Sequence, residues 1–170
     1  MQISTVLGNG MVLQREVQNP VWGYTRPGEK VQLIIGEHHL ETQSDKDGYF
    51  EILLPSMKAG GPWEIRLWDT TGRYVFQDVL FGDVFLLGGQ SNMELPLSWI
   101  WDQVKEELAE IRNEQIRMFD LPKEYDFLKK RELLTQGKWV SACGKDLLAF
   151  SAAGYYAAAA VSYTHLRAHE

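Results

Sequence analysis

The string Gly88-Gly89-Gln90-Ser91-Asn92-Met93-Glu94 sets a hydroxyl nucleophile after two glycines, with a side-chain amide on either side of it. A serine attacks a carbonyl productively when the substrate can approach closely and the developing oxyanion meets hydrogen-bond donors. Gly88 and Gly89 are read as a tight, positive-φ turn that permits that approach. Main-chain N–H groups near Ser91, together with the amides of Gln90 and Asn92, are the candidate donors. Ser91-Asn92-Met93-Glu94 also fits a capping box, with Ser91 as the N-cap and Glu94 reaching back to it. On the local pattern, acyl transfer and helix initiation both remain open.

The elements around this string decide how Ser91 is presented. Asp83-Val84-Phe85-Leu86-Leu87 reads as a nearly continuous apolar strand, of the kind buried on both faces of a parallel sheet. Ser91 then falls at the strand's C-terminal end, where open α/β sheets place their ligands, and is displayed rather than buried. Downstream, Val104, Leu108 and Ile111 recur every three or four residues with Glu106, Glu107 and Glu110 opposite, which predicts a helix from Asp102 to Asn113. Gln115 to Leu121 predicts a second strand ended by Pro122, and a polar stretch runs through Lys138-Trp139-Val140 to a helix from about Ser151 to Ala160. Strand, helix, strand, helix implies an α/β layer.

Upstream, from Val12 to Val79, short extended segments such as Val31–Ile35 and Glu64–Trp68 alternate in polarity. Turns are expected at Arg26-Pro27-Gly28, Asp45-Lys46-Asp47-Gly48, Ala59-Gly60-Gly61-Pro62 and Thr70-Thr71-Gly72. This is the pattern of an antiparallel β-sandwich-like domain. The expected organisation is a β domain over 1–79, the N-terminal part of an α/β domain over 80–160, and an appended, unfolded tail over 161–170. An α/β piece with two evident parallel strands leaves its sheet edges open and its apolar surface uncovered, so the chain is expected to be a truncated fragment.

Bulk properties narrow the function classes. The 170 residues are 45% hydrophobic and 24% charged, an ordinary globular composition. A net charge of -6, with no basic run beyond Lys129-Lys130-Arg131, gives no footprint for nucleic acid or anionic lipid. No run approaches the roughly 18 apolar residues of a membrane span, and the N-terminus has no basic start followed by an apolar stretch; a cytoplasmic location is expected. Cys143 is the single cysteine, so no internal disulfide forms, and no His, Cys or carboxylate cluster has ligand spacing; no metal and no cofactor are expected. The oligomeric state is unknown at this level. His38 and His39 are read as a solvated loop pair.

Nine short strings in order resemble the sialate O-acetylesterases. They run from Gly10-Met11-Val12-Leu13-Gln14-Arg15, Val21-Trp22-Gly23-Tyr24 and Pro27-Gly28-Glu29-Lys30-Val31 through Asp47-Gly48-Tyr49-Phe50 and Ala59-Gly60-Gly61-Pro62-Trp63. They continue with Val79–Phe85, Gly89–Glu94, Gly137-Lys138-Trp139 and Phe150-Ser151-Ala152, so the resemblance covers roughly residues 5 to 156. It implies a serine esterase with an SGNH-type, flavodoxin-like α/β domain and Ser91 as nucleophile. Gly89, Gln90 and Asn92 then support the oxyanion, Gln90 standing where related hydrolases carry an acidic residue. The implied substrate is an O-acetylated sugar, sialic acid first, with acetylated xylan or another plant glycan as the alternative. A non-catalytic carbohydrate-binding module is the reading from a different class.

The resemblance also implies a later Asp-x-x-His block, and this sequence has none. No Asp is followed three positions on by His, and the histidines are His38, His39, His165 and His169. Residues 162–170 resemble a string found at the ends of translated metagenomic fragments, where adapter is read as coding sequence, and are expected to be non-native. Among the tryptophans, Trp22 and Trp68 are expected in the β core. Trp99 and Trp101 either line a substrate cleft or cover the following helix.

Overall fold

The structure is a computed structural model that describes residues 1–121 and 131–167, with side chains through 162. The chain divides into two compact units, Met1–Val84 with Leu121–Trp139, and Phe85–Asp120 with Val140–Glu170.

Among the described residues, the N-terminal part of the first unit, up to Val84, holds eight strands: β1 (Gln2–Ile3), β2 (Val12–Gln14), β3 (Pro20–Tyr24), β4 (Lys30–Ile35), β5 (His38–Gln43), β6 (Tyr49–Leu53), β7 (Gly60–Trp68) and β8 (Arg73–Gly82). They form a three-stranded sheet, β1-β3-β6, and a five-stranded sheet, β2-β8-β7-β4-β5. Period-2 alternation turns one face of each sheet inward: Val21, Phe50 and Ile52 from the first, and Val31, Leu33, Ile35, Ile65, Leu67, Val79 and Phe81 from the second, share one apolar cluster. Pairing is antiparallel except between β2 and β8, which run parallel with Val12 opposite Leu80.

The segment 131–139 returns to this unit. Leu134 accepts from Thr5 N at 2.9 Å and donates to the buried Ser4 Oγ at 3.1 Å, and Trp139 Nε1 donates to Val6 O at 2.8 Å.

Three of the four expected turns lie where the sequence puts them. At 59–62 the chain instead enters β7 with an irregular register, Gly60 opposite Phe81 and Trp63 opposite Val79. Gly61 sits there at φ 139°, and a Cβ on it would come 2.7 Å from Val79 O, so the Gly-Gly pair serves a bulged strand rather than a reversal. His38 and His39 lie on β5 rather than in a loop, opposite Ile35 and Ile34, because the hairpin closes on Gly36-Glu37 alone; both are solvent-exposed. Trp22 packs against the core cluster as expected. Trp68 does not join it: Ile65 and Leu67 point inward, so their neighbour Trp68 points outward and is half-buried.

The second unit contains α1 (Ser91–Glu94), a 3-10 turn at Leu97–Trp99, α2 (Trp101–Leu108), β9 (Arg112–Asp120), most of β10 (Lys138–Cys143), a 3-10 turn at Asp146–Ala149 and α3 (Ala152–Arg167). Its core gathers Leu97, Leu108, Ile116, Val140, Ala142, Leu147, Phe150 and Tyr155. β9 and β10 form a two-stranded sheet, so Lys138-Trp139-Val140, at the end of the polar stretch, lies on a strand.

Several boundaries differ from the sequence reading, each for a local reason. The apolar run 83–87 is not a strand. β8 extends past the expected division at 79/80 to Gly82, and side chains then take over the backbone: Arg15 Nε donates to Asp83 Oδ1 at 2.8 Å and Val84 N donates to Gln14 Oε1 at 2.9 Å. Phe85 and Leu86 are 61% and 98% exposed, the opposite of a strand buried on both faces. Helix α2 stops at Leu108 rather than Asn113 because Asn113 Oδ1 accepts from the N–H groups of Gln115 and Ile116, at 3.0 and 3.3 Å, which competes with helix continuation. The expected second strand is present as β9, while Pro122 lies outside the described residues. Helix α3 continues through Arg167, so the backbone of 161–167 is helical rather than an unfolded tail.

Candidate active site

Ser91 is the first residue of α1, and Gln90 is its N-cap. The capping box is therefore absent: Ser91 is already helical, and the turn closes through Met93 N and Glu94 N, which donate to Gln90 O at 2.9 and 3.0 Å. Ser91 and Asn92 are solvent-exposed, as are Gly88, Gly89 and Gln90, so the side chain of Ser91 is displayed as expected from the sequence even though the strand meant to display it is not present. The N–H groups of Ser91 and Asn92 have no acceptor among the described residues, as expected of the opening positions of a helical turn. Ser91 Oγ likewise has no hydrogen-bond partner among them.

The glycines act differently from the expectation. Neither Gly88 nor Gly89 has positive φ. Gly88 has open space where a Cβ would stand, whereas a Cβ on Gly89 would lie 2.9 Å from Met93 Cβ. Gly89 is needed for the close return of α1 over its own approach segment.

The turn carrying Ser91 is fixed from the far end of the unit's sequence. Leu97 N donates to Phe150 O at 2.9 Å and Ala152 N donates to Leu95 O at 2.8 Å, either side of an antiparallel bridge between Pro96 and Ser151. Leu97 and Phe150 are both buried, which keeps water from competing for these bonds. Ser151, only 8% exposed, accepts from Gly154 N at 3.1 Å as the N-cap of α3, and its hydroxyl lies 3.8 Å from Met93 Sδ. Gly154 packs where a Cβ would stand 2.4 Å from Leu87 Cδ1. The Phe150-Ser151-Ala152 string thus packs directly against the segment that follows Ser91. The sequence reading gave it no role; a serine ahead of an apolar helix start was the signal that marked it as a cap.

Trp99 is 78% exposed on its 3-10 turn. Trp101 instead packs against the core of the unit and lines a shallow recess with Leu108, Arg112, Lys145 and Leu148, which includes neither Ser91 nor Trp99. Trp101 thus takes the helix-covering place that the sequence allowed, while Trp99 lies exposed on its turn. Of the histidines in this unit's sequence, His165 has a described backbone only and His169 lies outside the described residues, so no described imidazole stands beside Ser91. Nearby, burial first and then Glu107 raise the Tyr155 and Tyr156 hydroxyls above their ordinary value, so both are neutral donors, Tyr156 toward Glu107 at 3.2 Å. Among the described residues no group of His, Cys, Asp and Glu side chains is arranged to hold a metal ion, and no helix is long and apolar enough to cross a membrane.

No family model matches the chain. It is 31% identical over 131 residues to the sialate O-acetylesterase of Mus musculus, covering 71% of this chain and 24% of that protein. It is 33% identical over 117 residues to the sialate O-acetylesterase of Homo sapiens, covering 62% and 22%. Among solved structures it matches a carbohydrate acetylesterase from Xanthomonas citri with a TM-score of 0.90 and 32% identity, over 96% of this chain and 37% of that one. The resemblance to sialate O-acetylesterases carried by the ordered strings is thus borne out across the sequence, and the fold is that of part of a carbohydrate acetylesterase. The chain spans about a quarter of the length of the curated relatives it matches.

Proposed function

We propose that this chain is the nucleophile-bearing part of a carboxylic ester hydrolase that removes O-acetyl groups from sugars, sialic acid being the leading substrate. The observation that supports it is Ser91: exposed, on the first turn of a helix with free N–H groups beside it, in a chain similar over most of its length to sialate O-acetylesterases and to a carbohydrate acetylesterase. In this reading the first unit is a β-sandwich and the second the opening of a flavodoxin-like α/β domain.

The reaction is acyl transfer. Ser91 Oγ attacks the acetyl carbonyl, the negative charge moves to the carbonyl oxygen, and N–H donors of the Gly89–Asn92 segment and the amides of Gln90 and Asn92 stabilise it. The sugar oxygen leaves with a proton, an acetyl-serine remains, and water releases acetate and restores Ser91. The proton carrier is a His oriented by an Asp, supplied by the longer protein of which this chain forms part.

The test is acetate release by a full-length protein carrying this chain, from O-acetylated sialic acid and from acetylated xylan, each with a Ser91→Ala control. Release that Ser91→Ala abolishes supports the reading, and the preferred substrate separates the anionic sugar from the neutral glycan. Glycan binding without turnover, unchanged by Ser91→Ala, supports the binding-module reading instead.

A further inference from the structure

We infer that Ser151 and Met93 form a clasp that positions Ser91; this rests on the esterase reading above. The Ser91 side chain makes no hydrogen bond among the described residues, so its place is set by the short turn it rides on, Ser91–Glu94. A four-residue helix has almost no stability of its own and needs outside contacts to keep one geometry. Met93 supplies them on two sides. Its Cβ abuts Gly89 so closely that a Cβ there would stand 2.9 Å away, and its sulfur lies 3.8 Å from Ser151 Oγ.

Ser151 suits the role because its hydroxyl has both an acceptor and a donor face. The oxygen accepts from Gly154 N at 3.1 Å, capping α3, which leaves the O–H free to point at the thioether, a weak acceptor. Its backbone is fixed by the bridge to Pro96, flanked by the bonds of Leu97 N to Phe150 O and of Ala152 N to Leu95 O. One buried serine therefore ties the start of a sixteen-residue helix to the turn two residues beyond the nucleophile. Ser151 and Met93 are positioning residues: neither meets the substrate, and their effect is on the approach line of Ser91 Oγ.

The experiment compares Ser151→Ala, Ser151→Thr and Met93→Leu in the full-length protein, with Ser91→Ala alongside. Met93→Leu keeps the volume and the Ser151 cap but removes the sulfur acceptor. The expected result is a kcat lowered about tenfold in Ser151→Ala and in Met93→Leu, with KM within about twofold, an unchanged pH profile, and recovery in Ser151→Thr. A second readout needs no activity: the rate at which hydrogen peroxide oxidises Met93, followed by peptide mass spectrometry, is expected to rise several-fold in Ser151→Ala. Met93→Leu with the wild-type kcat, while Ser151→Ala is impaired, would show that Ser151 is only a helix cap and overturn the clasp. An unchanged Met93 oxidation rate in Ser151→Ala would overturn it as well. If Ser91→Ala retains full activity, the esterase reading fails, and the oxidation measurement still decides whether the clasp exists.

Discussion

Replacing Gly89 by alanine should slow the chemistry without unfolding the protein, and replacing Gly88 should do neither. A Cβ on Gly89 would stand 2.9 Å from Met93 Cβ, while unstrained carbon contacts begin near about 3.5 Å. About 0.6 Å must therefore be found, and Met93 Cβ cannot swing aside as a side-chain terminus would, because it is bonded to the α1 backbone. The turn carrying Ser91 has to move. A misplacement on the order of 1 Å costs about 100-fold in an oriented reaction, so a shift of this size corresponds to roughly a tenfold loss in kcat. The backbone itself accommodates alanine, since Gly89 lacks positive φ, and both glycines lie on an exposed segment where overpacking is relieved locally. Gly88→Ala adds its methyl to open space and serves as the matched control. The assay is steady-state acetate release by the full-length protein, with thermal unfolding of each variant. Equal rates for Gly88→Ala and Gly89→Ala would refute the steric argument. A Gly89→Ala loss that tracks a large fall in melting temperature would assign the effect to folding instead.

Leu97→Ala should destabilise the second unit by about 3 kcal/mol, as deletion of a fully buried leucine leaves a cavity; denaturant unfolding with Trp99 and Trp101 fluorescence as the probe reads it, and a midpoint like that of the parent would place Leu97 outside the core. Asp69 gives the first unit an acid-sensitive element. Burial works to raise its carboxyl, but bonds from Thr25, from Thr71 Oγ1 and from the N–H groups of Thr71 and Gly72 outweigh this and hold it below the usual carboxylate range. A depressed folded pKa contributes stability that is present above the unfolded value and lost as pH falls through the folded one. Asp69→Asn should therefore show a shallower acid limb in urea midpoint against pH, and parallel profiles would contradict it. At the alkaline end, burial and then the bond to Glu51 push Tyr49 up to about 12. That contribution is full below the unfolded value near about 10 and is lost as pH rises toward the folded one, so Tyr49→Phe should flatten the alkaline limb.

The β unit was legible because its signals are local. Alternation over Val31–Ile35 and Glu64–Leu67 fixes which residues face the core, and Pro-Gly, Asp-Gly and Thr-Gly reversals set three turns. The misreadings arose where a residue serves two geometries. Gly60 and Gly61 suit a reversal or a bulge, and only the closeness of Val79 O, a partner far along the chain, selects the bulge. Val84–Leu87 has the composition of a doubly buried strand, yet hydrogen bonds from Arg15 and to Gln14 end β8 at its threshold. The exposure of Ser91 was legible and the support of its turn opaque: the string around Ser91 is contiguous, whereas Ser151 lies 58 residues from Met93 and no periodicity links them.

Those two facts together set the activity expected of the 170 residues alone. The structure gives Ser91 exposure, neighbouring N–H groups without acceptors among the described residues, and a turn held by the contact of Met93 with Ser151; in the proposed reading these serve positioning and electrostatic stabilisation. It does not give the hydroxyl a base: Ser91 Oγ has no partner among the described residues, and no described side chain of its unit is an imidazole. A serine hydroxyl is almost wholly protonated at neutral pH, so without general-base help its attack is slow even when it is well aimed. Removing the base from a serine triad costs on the order of 10⁴ to 10⁶ in kcat while leaving a residue of catalysis from the oxyanion donors. The isolated chain should accordingly hydrolyse an activated acetyl ester such as p-nitrophenyl acetate only slightly above buffer, and four or more powers of ten below a full-length protein, with Ser91→Ala making little further difference. A rate from the isolated chain within about 100-fold of the full-length protein, and abolished by Ser91→Ala, would mean that these residues already hold a functioning base, contrary to the site described above.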